Sequence, residues 1–213
     1  MNKRLFSLVL LLFPFAVQAA AEDSVSGLAD RVQSLYEGAQ DLSMEFGQKT
    51  YVAVLEKEVS KRGSARFKKP GKMAIRYEGE GGRNYLSDGK TLWIFESGDA
   101  QVQKMDVSET DMPAEALSFL GGLGRLKRDF AVESVDPKKW KSLKRERQDL
   151  SWMELTPLNK QSGLAWLVMG FDAGNLAREA FLSTDTGNLS HYTFDSVTLN
   201  QGLSDDLFKY SKK

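Results

Sequence analysis

The side chains able to do chemistry in this 213-residue chain are few and scattered. His191 is the sole histidine. It stands in a strand-like run beside Tyr192 and Phe194, without the three or four convergent ligands that a zinc site needs. Asp88, Asp99, Asp185 and Asp195 are the carboxylates a glycosidase-type pair would draw on. Three of them sit in or beside turn sequences, where aspartate has a structural task. Gly121-Gly122-x-Gly124 neither follows a strand nor opens a dinucleotide-binding unit. There is no nucleophile elbow, phosphate-cradling loop or HExxH, and cysteine is absent. That absence excludes disulfides, thiolate metal sites and a lipid carried on an N-terminal cysteine. The reading is of a protein that is not an enzyme and takes no metal or cofactor.

Where catalytic groups are missing, the elements themselves must carry the function. Lys3-Arg4, the apolar run Leu5 to Val17 and the small residues Ala19-Ala20-Ala21 have the three parts of a secretory signal peptide. The run is shorter than the ~20 residues that cross a bilayer. Residues 1–21 are therefore expected to be a leader, and 22–213 one exported, soluble, monomeric domain. Loss of the leader removes two of the 29 basic residues against 29 acidic ones. Nucleic acid is accordingly not a partner, because phosphate binding needs a basic excess.

Val25 to Leu42 has apolar residues at i, i+3, i+4 and i+7, and predicts an amphipathic helix capped by Asp23 or Ser24. From Ser43 the period becomes 2, the spacing of a strand. Met44, Phe46, Val52 and Val54 are expected on one face, and the return strand Lys57 to Lys68 presents Val59, Ala65 and Phe67. Gly63 to Ser97 reads as a meander with an apolar face of Ala65, Phe67, Met73, Ile75, Tyr77, Trp93 and Phe95. Its turns are Pro70-Gly71, Gly81-Gly82 and Ser87-Asp88-Gly89-Lys90. Ala116, Leu117, Phe119 and Leu120 predict a short helical insert ended by Gly121-Gly122. Pro137 to Asp149 is charge-rich and reads as a solvated loop or hairpin tip. Four further strands lie between Ser151 and Leu199, with Leu164 to Phe171 apolar throughout, as in a strand covered on both faces. About ten strands without helical crossovers predict a curled antiparallel sheet, since so many strands rarely stay flat. Helices would close its concave side over a hydrophobic cavity.

Met44-Glu45-Phe46-Gly47-Gln48-Lys49, Lys69-Pro70-Gly71-Lys72-Met73 and Ser87-Asp88-Gly89-Lys90-Thr91-Leu92-Trp93 resemble the periplasmic outer-membrane lipoprotein carrier family, LolA. The resemblance runs over nearly the whole chain after the leader and includes a terminal strand at Leu207-Phe208. It implies an α+β fold, an unclosed β-barrel with a helical lid. It also implies a periplasmic carrier that takes lipoprotein acyl chains from an inner-membrane ABC transporter to an outer-membrane receptor. The lining implied is Phe46, Phe67, Met73, Ile75, Tyr77, Trp93, Phe95, Leu117, Phe119 and Leu120. The receptor of such a system is itself a lipoprotein, which the missing cysteine argues against here. In the family an arginine before the proline holds the lid helix; here Lys69 stands there, and lysine is a point charge without arginine's fixed fork. Met73 replaces a usual large apolar or aromatic residue, and Ile75-Arg76-Tyr77 lacks the family's tryptophan. These departures leave room for a carrier of another lipid or glycolipid, or for an envelope-stress sensor of lipids or lipoproteins.

Overall fold

The computed structural model describes residues 24–79, 82–96, 101–107, 126–159 and 163–211. The leader, Asp99, the Gly121-Gly122-x-Gly124 run and the insert carrying Leu117, Phe119 and Leu120 lie outside the described residues.

Helix α1 is Val25–Gly38, with the Ser24 hydroxyl accepting from Gly27 N–H at its start. It stops earlier than its apolar spacing predicts. Ala39 is already extended, and Leu42 belongs to the following strand. That strand, β1 (Asp41–Val52), opens a run of eleven: β2 (Lys57–Lys68), β3 (Lys72–Tyr77), β4 (Arg83–Asp88), β5 (Thr91–Glu96), β6 (Val102–Asp106), β7 (Phe130–Glu133), β8 (Ser151–Pro157), β9 (Leu164–Phe171), β10 (Ala177–Thr184) and β11 (Leu189–Leu199). All pair antiparallel in one sheet, in the order β6-β5-β4-β3-β2-β1-β11-β10-β9-β8-β7. Among the described residues, the first and last strands thus meet at β1–β11, and β6 and β7 are the edges of an unclosed sheet.

Alternation along each strand divides the side chains between two faces. Leu42, Met44 and Phe46 of β1, Ala65 and Phe67 of β2, Met73, Ile75 and Tyr77 of β3, and Tyr192 and Phe194 of β11 share one buried apolar cluster. Met153, Leu155, Leu167, Met169 and Phe171 continue it, and Leu28, Ala29, Val32 and Tyr36 of α1 pack onto it. This is the inner face, and α1 is its lid. β9 is covered on both sides, since Val168, on the opposite face, is also fully buried.

The outer face is clad in two patches. Most of the charge-rich run Pro137 to Asp149 is exposed, as expected, but it carries a short helix and one buried anchor, and the tail differs from the sequence-based expectation. Helix α2, Leu126–Asp129, precedes β7, and helix α3, Pro137–Ser142, lies within the charge-rich run that the sequence predicts to be solvated. Two buried carboxylates draw that run onto the sheet. Glu179 accepts the N–H groups of Glu146 (2.8 Å) and Arg147 (3.1 Å), while Glu154 accepts Asp136 N–H (3.1 Å) and meets the Lys139 ammonium. Leu143 then packs on Val168 and Phe181. The second patch is the C-terminal tail. Leu207-Phe208 is a 3-10 turn, Asp205–Phe208, not a strand. Phe208 is buried against Ala74 and Leu86 on the outer side of β3 and β4.

Candidate functional site

The inner face meets its lid at a turn built from two of the sequence motifs. In the β2–β3 turn, Gly71 adopts φ +64, and in the β4–β5 turn Gly89 adopts φ +96, both in the region that suits glycine. The turns touch: a Cβ on Gly89 would lie 2.7 Å from the Pro70 carbonyl oxygen. Ser87 Oγ donates to the Gly71 carbonyl (3.2 Å) and accepts Gly89 N–H (3.1 Å). Asp88 accepts the N–H groups of Lys90 (2.9 Å) and Thr91 (2.8 Å). These bonds hold its carboxyl below the usual aspartate range, the Thr91 contact most strongly and against partial burial. Asp88 is thus a turn-former, and Asp195 lies exposed on β11.

Held by this pair of turns, Lys69 reaches the end of α1. Its ammonium donates to the carbonyls of Tyr36 (3.0 Å) and Glu37 (2.7 Å). Those are among the last four carbonyls of the helix, which have no intrahelical partner and carry its negative end. The helix has no basic residue of its own in its last turn. Lys69 supplies that charge from the sheet, and its N–H also donates to the Gln40 carbonyl at 2.9 Å.

The lid has other clasps. The Tyr36 phenol oxygen accepts Ala177 N–H at 3.0 Å inside the core, and burial pushes that phenol up to about 12. Lys127 N–H donates to Gln33 (3.1 Å), and its ammonium pairs with Asp30. Arg31 donates to Asn175 (3.4 Å) in the turn that Asp172 organises by accepting Gly174 and Leu176 N–H. Burial would raise the Asp172 carboxyl, but the Arg178 guanidinium at 2.6 Å and these backbone donors bring it below its ordinary value.

Of the residues read from the sequence as lining, Phe46, Phe67, Met73, Ile75 and Tyr77 lie together on the inner face. Trp93 and Phe95 do not. Leu92 and Ile94 occupy the inner side of β5, and Trp93 and Phe95 turn outward to the tail. There Tyr210 stacks on Trp93 (5.8 Å between centroids, 14°) and meets Phe95 edge-on (5.7 Å). Val54 and Val59, expected inward, are 88% and 40% exposed at the β1–β2 hairpin tip. Leu117, Phe119 and Leu120 lie outside the described residues. His191 is on the outer face, 2.7 Å from the buried Glu179 carboxylate and stacked on Phe181 at 4.3 Å. That is a structural setting, and among the described residues no cluster of potential metal ligands occurs.

Two carboxylates that periodicity does not single out fix the tail. Asp41, buried, accepts the N–H groups of Gln201 (2.8 Å), Gly202 (2.8 Å) and Leu203 (3.0 Å). Asp205 lies 2.6 Å from both Lys68 and Lys72, which bracket the Lys69-Pro70-Gly71 turn. The lysine contacts, Lys68 first, bring its carboxyl down to about 2.

Among the described residues the chain is a lidded, unclosed antiparallel sheet with an apolar inner face and a cation clasping the lid helix. The chain belongs to the LolA family, whose model, the outer membrane lipoprotein carrier protein LolA, matches residues 37–211. The outer-membrane lipoprotein carrier protein of Cupriavidus taiwanensis is similar to it, 30% identical over 99% of this chain and 94% of its own length. That of Nitrosomonas europaea is 24% identical over 99% of this chain and 95% of its own. The crystal structure of a LolA superfamily protein from Nitrosomonas europaea covers 88% of this chain and 98% of its own, with a TM-score of 0.45 and 12% identity.

Proposed function

We propose that this protein is a periplasmic carrier of lipoproteins, which holds their acyl chains against the inner face and releases them at the outer membrane. The observation that carries this reading is the Lys69 clasp. A lid held at its carbonyl end by two side-chain hydrogen bonds from the sheet, and elsewhere by a few polar clasps, can open without unfolding the sheet. Phe46, Phe67, Met73, Ile75 and Tyr77 are the proposed acyl contacts; Leu117, Phe119 and Leu120 belong to the same proposal.

The energetics suit a reversible carrier. Burying acyl methylenes is worth ~0.8 kcal/mol each, so full burial of several chains would exceed the roughly 18–21 kcal/mol at which affinities saturate. In the described structure the inner face is occupied by the α1 stripe. Cargo must displace Leu28, Ala29, Val32 and Tyr36, and the cost of lifting that stripe offsets part of the gain. Lys69 is exposed, so its contacts to the helix terminus contribute about 1 kcal/mol, one part of that cost beside the buried stripe.

This function implies residues 1–21 as an export leader and 22–213 as one monomeric periplasmic domain. Its partners would be an inner-membrane ABC transporter that loads it and an outer-membrane receptor that unloads it. It implies stoichiometric transfer without turnover, cofactor or metal. Lipid mass spectrometry of protein purified from its host tests the reading, together with release of lipoproteins from inner membranes bearing the transporter. Acylated cargo at no more than one lipoprotein per chain is expected. Empty protein and no release would overturn it.

A further inference from the structure

β2 is twelve residues long and β3 only six, so β3 pairs with Gly63–Lys68 and stops. The other half of β2, from Lys57 to Arg62, is joined to β1 on one side, and among the described residues no strand pairs with its other side. The last bond there is Glu78 N–H to the Arg62 carbonyl, 2.9 Å. Since alternate residues of an antiparallel strand point their backbone groups to the same side, Ser60 and Glu58 present N–H and C=O to the open side.

Beside this edge is a groove of ≈ 880 Å³, bordered by Ser60 and Arg62 on one side and by Glu78 and Gly79 on the other, and floored by Gly47 and Thr193. A Cβ on Gly47 would stand 2.9 Å from the Thr193 hydroxyl, so the floor is tight at this point unless the Thr193 side chain turns. The groove lies on the outer side of the sheet, where Lys49 and His191 also border it, and an inner-face residue stands at the same edge. Tyr77, an inner-face residue, donates its phenol to Gln48 Oε1 (2.9 Å), and the Lys61 ammonium lies 5.3 Å over its ring. The groove's charges are of both signs, Lys49, Lys61 and Arg62 against Glu78 and Glu146, with Lys49 and Glu146 paired at 3.0 Å, so its charge is close to balanced.

We propose that this edge and groove bind the extended peptide that follows the lipid-bearing residue of the cargo, as an added antiparallel strand on β2. Strand addition draws its affinity from main-chain hydrogen bonds and tolerates varied side chains. A carrier whose cargoes share only their lipid needs that property. A chain leaving the inner face past Tyr77 crosses the sheet edge at the Ser60 and Glu58 backbone groups, and an edge that no described strand pairs with is otherwise a liability. The inference rests on the carrier reading and extends it from the acyl chains to the polypeptide.

Two probes separate the two claims: a synthetic triacylated cysteinyl peptide with a twelve-residue tail, and the same acylated cysteine as its amide without a tail. Ser60→Pro removes one N–H at an edge position where proline is tolerated. The native protein should bind the tailed probe about tenfold more tightly, the value of one or two net hydrogen bonds. Ser60→Pro should abolish that advantage and leave the tail-less affinity unchanged. Slowed amide exchange at Glu58 and Ser60 with the tailed probe only is the expected second readout, and it needs no variant. A tail advantage that survives Ser60→Pro, unaltered exchange at those amides, or concentration-dependent dimerisation abolished by Ser60→Pro would overturn the proposal. Failure of the native protein to bind either probe would overturn the carrier reading with it.

Discussion

Lys69 and Tyr36 join the lid to the sheet through two different atoms of the same helical residue. The ammonium of the first donates to the main-chain carbonyl of the second at 3.0 Å, while the Tyr36 phenol oxygen, on the same residue's other end, accepts Ala177 N–H at 3.0 Å. A single helical residue is therefore tied to both halves of the sheet, to the β2–β3 turn and to the start of β10. Opening the lid at its C-terminal end must break both ties.

Lys69→Ala removes the cation from the helix terminus and leaves two carbonyls to water. Lys69 is exposed, so the closed state should lose about 1–2 kcal/mol relative to the open one. Faster amide exchange over the last turn of α1 and greater binding of an apolar dye would report it. Lys69→Arg works in the opposite direction, because a guanidinium offers a fixed fork to two neighbouring carbonyls. Slower lipoprotein release than native is the expected result. Release at the native rate would mean that Lys69 does not gate the lid.

Tyr36→Phe leaves the Ala177 N–H buried without its acceptor, at a cost of about 1–3 kcal/mol in global stability measured by urea unfolding. The native phenol also makes a pH prediction. Burial raises its pKa from 10.0 to about 12, so the folded state holds this proton more tightly than the unfolded chain does. Stability from this group is complete below pH 10 and falls as pH rises toward 12. The Tyr36→Phe variant should lack that part of the alkaline loss.

The inner-face strands were legible in the sequence where one phase of the alternation was polar. Met73, Ile75 and Tyr77 alternate with Lys72, Ala74 and Arg76, so only one register hides the apolar set. In Thr91-Leu92-Trp93-Ile94-Phe95-Glu96 both phases are apolar, and period 2 alone does not say which faces the lid. The answer lies more than a hundred residues on, in Phe208 and Tyr210, which cover the Trp93 side. Asp41 and Glu179 were silent for a related reason. Their partners are backbone N–H groups brought by tertiary folding, and no spacing rule marks them. Lys69 was found through motif resemblance, which encodes the turn that aims it.

The tail's attachment should be acid-sensitive in a narrow range. Asp205 sits between Lys68 and Lys72, with a carboxyl lowered from 3.8 to about 2 by those contacts. A depressed carboxyl stabilises above its unfolded value and loses that contribution as pH falls from about 4 toward 2. Asp205→Asn should remove this acid-dependent component at neutral pH. The environment of Trp93, under Tyr210, provides the signal: its emission should shift in the native protein below pH 4 and be pH-independent there in the variant. Phe208→Ala should cost far more, about 3–5 kcal/mol, because it empties a buried site.

Gly89 tests whether the two motif turns work as one device. It has φ +96, and an added Cβ would lie 2.7 Å from the Pro70 carbonyl oxygen, a backbone atom that cannot swing aside. Gly89→Ala must therefore either distort the Ser87–Lys90 turn or push the Pro70 peptide, and with it Lys69, away from α1. Strain at such a position costs on the order of 1–3 kcal/mol. If the push is transmitted, the variant should show the Lys69→Ala phenotype, faster exchange at the end of α1, although Lys69 itself is intact. Combining the two substitutions should then add little to either in that exchange readout, since both break the same contact. Additive effects would show that the Ser87-Asp88-Gly89-Lys90 turn stabilises the sheet without aiming the clasp.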